Sequence, residues 1–348
     1  MGTLRISGNI DLIQFWPVGS SDADTTKIKL VVNQQSFEYR KTGAKKFSKT
    51  SIYTGAVSRG QVSKEVITTS KKSGLQTITV RLQGIDAPEL HYKAAPLKKT
   101  NDVSDAERKK YNETNEDRRQ CFAETSTVAL AKHLKQYANV NGDIKAVFET
   151  EVNEPGEAID TYGRFVGNIR IGTHDINIWL VENGWGHPSF YTSMSNEEIA
   201  LYMAAWKKGK KKTGRPGKSL SADAGKFNWK LLYRPHKKDE PIKFTMGEDK
   251  GKVLMPKIFR RQVAWMVAKK AGVLDKSTKF KEYLAGKPDQ LVLLNDFLDN
   301  GVNSSKVFSL DEFVDAKNKV LKAPDELVFK EKAATLVNAS GTKITKWK

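Results

Sequence analysis

The stretch Val80-Arg81-Leu82-Gln83-Gly84-Ile85-Asp86-Ala87-Pro88-Glu89 gathers an arginine and two carboxylates around one predicted turn. An alternating strand delivers Arg81, Gly84 breaks it, and Pro88 stiffens the turn between Asp86 and Glu89. A second turn, Ser21-Asp22-Ala23-Asp24-Thr25, supplies two more carboxylates ahead of a strand. A third, Asp160-Thr161-Tyr162-Gly163-Arg164, opens a strand with an arginine. Hard cations such as Ca2+ prefer several carboxylate and carbonyl oxygens, and loops at strand ends can converge on one. A cation so held polarises a phosphate and lowers the pKa of a bound water. Two guanidiniums can clamp the non-bridging oxygens, and a free carboxylate can position or deprotonate the attacking water. Each fragment alone reads as a solvated turn or a surface arginine; the ordered set of three fits phosphodiester hydrolysis.

These fragments need strands to hold them. Ile28, Leu30 and Val32 alternate with Lys27, Lys29 and Val31; Ile78, Val80 and Leu82 alternate with Thr79, Arg81 and Gln83; Phe165, Ile169 and Ile171 alternate with Arg164, Asn168 and Arg170. Period two buries one face of each strand, so Arg81 and Arg164 point away from the apolar faces. A helix is predicted over about 116–137, with Phe122, Ala129, His133 and Tyr137 among its inward positions, and a short one over 176–183 closed by Gly184. Several strands closed by one or two helices predict a small α+β or barrel domain. Beyond about residue 240 the pattern turns helical. Pro256 suits a first helical position, Ile258, Phe259, Val263, Met266 and Val267 recur at helical spacing, and Ser309 with Glu312 fits a capping box.

Composition narrows the partners. The 59 Lys and Arg against 40 Asp and Glu give a net charge of +19, which suits a polyanion, most often nucleic acid. No apolar run approaches the ~20 residues of a membrane span. Cys121 is the single cysteine, which excludes an intrachain disulfide and a zinc site built on cysteines. No signal peptide is visible at the N-terminus, so a cytoplasmic location is expected, or a secreted one if a leader has been removed. Basic residues cluster in Arg40–Lys72, including Lys45 and Lys46, and in the run Lys207, Lys208, Lys210, Lys211 and Lys212. Near a phosphate-cleaving site such runs become a nucleic-acid track; elsewhere they are solvated surface. Gly217-Lys218-Ser219 resembles the end of a P-loop, but Lys212 stands where glycine is required.

Residues 1 to about 235 resemble the staphylococcal nuclease (thermonuclease) family. Its Asp-Gly-Asp-Thr turn is similar to Asp22-Ala23-Asp24-Thr25, its Arg-Leu-…-Asp-Thr-Pro-Glu segment to Arg81–Glu89, and its Asp-Lys-Tyr-Gly-Arg turn to Asp160–Arg164. Its Val-Asn-x-x-Leu-Val-x-x-Gly helix resembles Ile176–Gly184. The resemblance implies a five-stranded OB-fold barrel with capping helices and a Ca2+ site, for which Mg2+ or Mn2+ could substitute. It implies metal ligation by Asp24, Asp86 and the backbone carbonyl of Ala87. It gives Glu89 the attacking water, makes Arg81 and Arg164 the phosphate clamps, places Tyr162 in the nucleotide pocket, and offers Phe190 or Tyr191 for stacking on a base. It implies cleavage of DNA and RNA with little sequence preference at the 5′ P–O bond, leaving 3′-phosphate ends. The alternative is a non-catalytic nucleic-acid-binding or scaffold module of the same type.

The sequence departs from the family at Ala23, which replaces glycine, and by insertions at about 41–76 and 91–115. The second insertion carries Lys98 and Lys99 close to the proposed chemistry. The expected division is a nuclease-like domain over 1–240 and a helical accessory domain over 245–348. The accessory domain would serve nucleic-acid binding, a protein partner or self-association, with chemistry wholly in 1–240. Its helix from Met255 to Ala271 sets Lys257, Arg260 and Arg261 away from the apolar stripe.

Overall fold

A computed structural model of the chain describes residues 1–12, 21–31, 36–54, 56–59, 62–98, 103–224, 230–233, 251–287, 289–331 and 334–347. Five strands close a barrel: β1 (Gly2–Asp11), β2 (Thr25–Leu30), β3 (Gln76–Leu82), β4 (Asp143–Val152) and β5 (Phe165–Ile171). Their order around the barrel is β1-β2-β3-β5-β4, and β4 pairs back onto β1 from Gly2↔Val152 to Asp11↔Asp143. All neighbours run antiparallel except β3 and β5, which are parallel. This is the OB-like barrel, mixed α+β, that the strand periodicity and the resemblance anticipate.

The predicted alternation holds where the barrel needs it. Ile28, Ile78, Val80, Leu82, Phe165 and Ile169 are all buried, joined inside by Leu4, Ile6, Ile10 and Phe148. Each such side chain contributes about 1.5–3 kcal/mol by leaving water. The helix predicted from 176 carries a fully buried Asn177. The Asn177 Nδ2 donates to the carbonyls of Gln83 and Gly167, and its Oδ1 accepts from Ile169 N–H. One side chain thus locks the end of β3 to β5.

Among the described residues the longer helices before residue 240 are α1 (Asp105–Thr114), whose Tyr111 packs in the C-terminal core, and α2 (Ala123–Lys135), α3 (Ile176–Glu182) and α4 (Asn196–Gly209). Helix α3 is N-capped by Asp175, and Gly184 follows it at φ +70°. The helix expected over 116–137 starts only at Ala123. Phe122 has φ +65°, which no α-helix accepts, and the segment before it is tied to other chains of backbone. Arg118 exchanges hydrogen bonds with Tyr92, and Gln120 N–H donates to the Glu89 carbonyl. The buried helix positions are Ala123, Glu124, Ser126, Thr127, Leu130 and Leu134, while His133 stacks on Trp179 at 3.9 Å between centroids.

The insertion after β2 contains a hairpin, Ala56–Arg59 with Val62–Glu65. The C-terminal region contributes a third strand to it, Thr335–Val337. That region holds α5 (Pro256–Ala271), α6 (Phe280–Ala285) and α7 (Leu294–Ser304), and adds short strands that periodicity did not mark. Leu327–Phe329 pairs with Gln290–Leu293 and, in parallel, with Phe190–Tyr191. Trp347 stacks on Tyr39 at 3.9 Å and donates its indole N–H to the Asn153 carbonyl. On α5, Ile258, Phe259, Val263 and Val267 are fully buried, and Gly272 ends the helix at φ +84°.

Candidate active site

The end of β3 and the turn after it build the site. Gly84 has φ +75°, and a β-carbon there would lie 2.4 Å from the Tyr202 ring. Only glycine meets both conditions, so Gly84 lets the chain reverse and lay Ile85–Asp86 against His187–Pro188. Gln120 fixes the far side of the turn. Its Oε1 accepts from Glu89 N–H at 2.9 Å and its Nε2 donates to the Leu254 carbonyl at 2.9 Å.

The turn before β2 meets this one. Asp22 N–H donates to the Thr25 carbonyl, and Leu82 N–H donates to the Asp24 carbonyl, so both turns share one strand end. Asp24 Oδ2 accepts from Ala87 N–H at 2.9 Å, and its Oδ1 accepts from the Thr25 hydroxyl at 3.0 Å. Ala23 is buried and has no positive φ, so alanine stands in the family's glycine position without backbone strain.

Arg81 lies between the two turns. Its NH2 is 2.5 Å from Asp86 Oδ1 and 3.5 Å from Asp24 Oδ2. Both carboxylates are buried, and the Arg81 side chain is 14% exposed. Glu89 completes the pocket. Arg164 stands beside it, with NH1 3.5 Å from the Thr25 hydroxyl. Its Nε and NH2 both bond Asp160 Oδ2 at 2.7 Å. Gly163, at φ +80°, closes that turn. Tyr162 is 61% exposed and its ring faces the Arg164 guanidinium at 5.4 Å.

The pocket carries more negative charge than Arg81 can balance. Burial, then the charges of Asp24 and Glu89, push the Asp22 carboxyl well up. Burial and the nearby Asp86 and Asp24 raise Glu89 to about 7, against the opposing pull of Arg260. Asp86 stays below its ordinary range because Arg260 and Arg81 outweigh its burial. His187, buried beside Trp206, is held down to about 4 by burial.

Arg260, from α5, is the residue that sequence reading did not place here. Its NH1 is ion-paired with Glu89 Oε1, and its NH2 is 3.6 Å from Asp86 Oδ2. Its neighbours on the basic face are also turned inward: Arg261 Nε bonds Asp289 Oδ2 at 2.6 Å, and Lys257 Nζ lies 3.4 Å from Asp289 Oδ1. No local signal in the sequence marks Arg260, which lies 171 positions from Glu89 on a helix face that reads as solvated charge.

The structure therefore brings Asp24, Arg81, Asp86 and Glu89 into one pocket, with Arg164 and Tyr162 at its rim. Tyr191 lies within reach of the charges of Arg81, Asp86 and Arg260. Phe190 is a correction: it is fully buried in the core, so it has no face to offer a base. In a two-residue strand alternation sends Phe190 inward and Tyr191 the other way. Lys45, Lys46, Lys98, Lys207, Lys208, Lys210, Lys211 and Lys212 are exposed. Lys208 pairs with Glu182 and Lys210 with Asp325, and Lys99 lies outside the described residues.

Among the described residues, no three His, Cys, Asp or Glu side chains form a metal-binding group. Asp24 and Asp86 do converge, since one Arg81 nitrogen reaches both. Oxygen-only donors with surplus negative charge suit a hard divalent cation. Arginines facing carboxylates can receive the oxygens of an anionic ester. Among the described residues, no helix is long and apolar enough to cross a membrane.

No curated protein matches the chain. Residues 79–214 match the family model described as staphylococcal nuclease homologue. That span holds Arg81, Asp86, Glu89 and Arg164, whereas Asp24 precedes it and Arg260 follows it. Residues 79–214 are thus similar to the staphylococcal nuclease homologue family, and they lie in a barrel that also draws β1 and β2 from the preceding chain.

Proposed function

We propose that this protein is a metal-dependent nuclease that hydrolyses phosphodiester bonds in DNA and RNA with little sequence preference. The observation that carries this reading is the convergence of Asp24, Arg81, Asp86 and Glu89 on one pocket within a nuclease-family barrel. Residues 1–240 would form the nuclease domain, with 245–348 as an accessory region.

Asp24, Asp86 and the Ala87 carbonyl would hold the cation, Ca2+ by preference with Mg2+ or Mn2+ as substitutes. When bound, it would polarise the phosphate and favour ionisation of a nearby water. Arg81 and Arg164 would bind the non-bridging oxygens and stabilise charge that grows as water attacks. Glu89 would orient the water and accept its proton, with its carboxyl poised near neutrality. The water oxygen joins phosphorus, the P–O5′ bond breaks, and the departing O5′ takes a proton from solvent, leaving 3′-phosphate and 5′-hydroxyl ends. Tyr162, exposed beside Arg164, would flank the nucleotide.

One observation favours a second reading, a binding module without turnover: both Asp86 and Glu89 are ion-paired with Arg260. Incubation of plasmid DNA and of RNA with Ca2+, Mg2+ or Mn2+, each repeated in excess chelator, separates the two. The nuclease reading expects degradation of both substrates that the chelator abolishes. Binding without degradation in any cation supports the module, and degradation undiminished by chelator removes the metal from the account.

A further inference from the structure

We propose that Arg260 of helix α5 is a third phosphate-contacting guanidinium of the active centre, supplied by the C-terminal region. This inference rests on the nuclease reading above.

Three observations carry it. First, Arg81 and Arg260 address the two oxygens of one carboxylate: Arg81 NH2 faces Asp86 Oδ1 at 2.5 Å, and Arg260 NH2 faces Asp86 Oδ2 at 3.6 Å. Two guanidiniums set on the paired oxygens of one anion are disposed to take the paired non-bridging oxygens of a phosphodiester. Arg164, held by Asp160 through Nε and NH2 with NH1 beside the Thr25 hydroxyl, joins this pair from the other turn. Second, among the described residues Arg81 and Arg260 are the cations ion-paired with Asp24, Asp86 and Glu89; without Arg260, Glu89 would lose its ion pair and an incoming phosphate would meet more uncompensated negative charge. Third, Arg260 is held in place without being sealed off. Arg261 and Lys257 anchor the start of α5 to Asp289, Gln120 joins Leu254 to Glu89, and Gln262 donates to the Ala224 carbonyl. The Arg260 side chain is nonetheless 25% exposed, so an incoming phosphate can reach it. On substrate binding the guanidinium exchanges Glu89 for phosphate oxygens, which frees Glu89 for water.

The test uses the full chain with Arg260→Ala, Arg260→Lys and, as a control of equal charge loss at an exposed position of the same helix, Lys270→Ala. A fluorescent single-stranded DNA oligonucleotide is titrated by anisotropy in EDTA across a salt series, and its cleavage rate is then measured in Ca2+. Arg260→Ala is expected to flatten the salt slope by about 0.7 and to lower turnover by ~10², whereas Lys270→Ala changes neither. If Arg260→Ala fails to fold, Arg260→Lys decides: it keeps the charge without the planar fork, and a loss of at least about tenfold in turnover is expected. Turnover of the Arg260 variants at or above wild type would overturn the inference, an increase marking Arg260 as a plug on Glu89. Equal losses in Arg260→Ala and Lys270→Ala would also overturn it, reducing the effect to bulk charge. Wild-type protein that binds the probe but cleaves nothing in any cation sinks the nuclease reading while the salt slopes still judge the contact. Wild-type protein that does not bind sinks both.

Discussion

Replacing Arg81 by alanine probes the charge balance on which the pocket depends. Arg81 is the nearest cation to two buried carboxylates, at 2.5 Å from Asp86 and 3.5 Å from Asp24. Removing one partner of a buried pair costs roughly 3–5 kcal/mol, because the remaining charge is left uncompensated. Here Asp24 keeps the Ala87 N–H and the Thr25 hydroxyl, and Asp86 keeps Arg260 at 3.6 Å, which places the cost near the lower bound. With an unfolding entropy of about 2.1 cal/mol/K per residue, ~3 kcal/mol lowers the midpoint of a 348-residue chain by about 4 °C. A cation bound at Asp24 and Asp86 would offset the loss, by about 2.7 kcal/mol at a hundredfold excess over Kd. The variant should gain more from Ca2+ than wild type does, since its carboxylates lack their internal counter-ion. Turnover should fall by ~10²–10³, as for other lost transition-state donors. Calorimetry in EDTA and in Ca2+, with single-turnover cleavage of a labelled oligonucleotide, reads all three effects. A variant with wild-type melting in EDTA and wild-type turnover in Ca2+ would refute the reasoning.

Arg164→Ala should lower turnover by ~10² yet cost about 1 kcal/mol or less in stability, because its partner Asp160 shares its turn and both are partly exposed; denaturant titration beside the rate measurement checks the split. Gly84→Ala combines a left-handed backbone with a clash on the Tyr202 ring, and should destabilise by about 2–5 kcal/mol in urea unfolding. Burial opposes ionisation of Asp289, but the hydrogen bond from Arg261 and the charge of Lys257 outweigh it and hold its carboxyl below the ordinary range. Its stabilisation is thus complete above the unfolded value of about 3.9 and is lost as pH falls through the lowered folded value. The stability gap between wild type and Asp289→Asn should therefore be constant from pH 6 to 5 and close toward pH 2; a gap unchanged at pH 2 would remove this pair from the account of α5 docking.

What could be read directly was whatever the chain encodes locally. The alternation of Ile78, Val80 and Leu82 sets the buried face of β3, which leaves Arg81 on the opposite face to meet Asp86 five positions on. Asp86 and Glu89 sit on a turn marked by Gly84 and Pro88, and Asp24 on one marked by its paired carboxylates. Features set by distant partners were not legible. Arg260 meets Glu89 across 171 positions, and on its own helix it reads as one more solvated charge. The stretch 116–122 is rich in residues that tolerate helix, but its backbone is claimed by Tyr92, Glu89 and Leu231, so tertiary pairing overrides propensity. Phe190 looked like a stacking ring until the two-residue strand with Leu327–Phe329 fixed which way it faces. The C-terminal strands are two to four residues long, too short for period two to register.

The central claim is that the Asp24–Arg81–Asp86–Glu89 pocket hydrolyses phosphodiesters, and end-group analysis tests it most directly. An oligonucleotide is cleaved by wild type, Asp24→Asn and Glu89→Gln in Ca2+, and the appearance of 5′-hydroxyl ends is followed with time. Wild type should yield 5′-hydroxyl and 3′-phosphate ends, and each variant should yield them at least ~10²-fold more slowly while remaining folded. Variants that cleave as fast as wild type, or a folded wild-type protein that yields no such ends, would contradict the account.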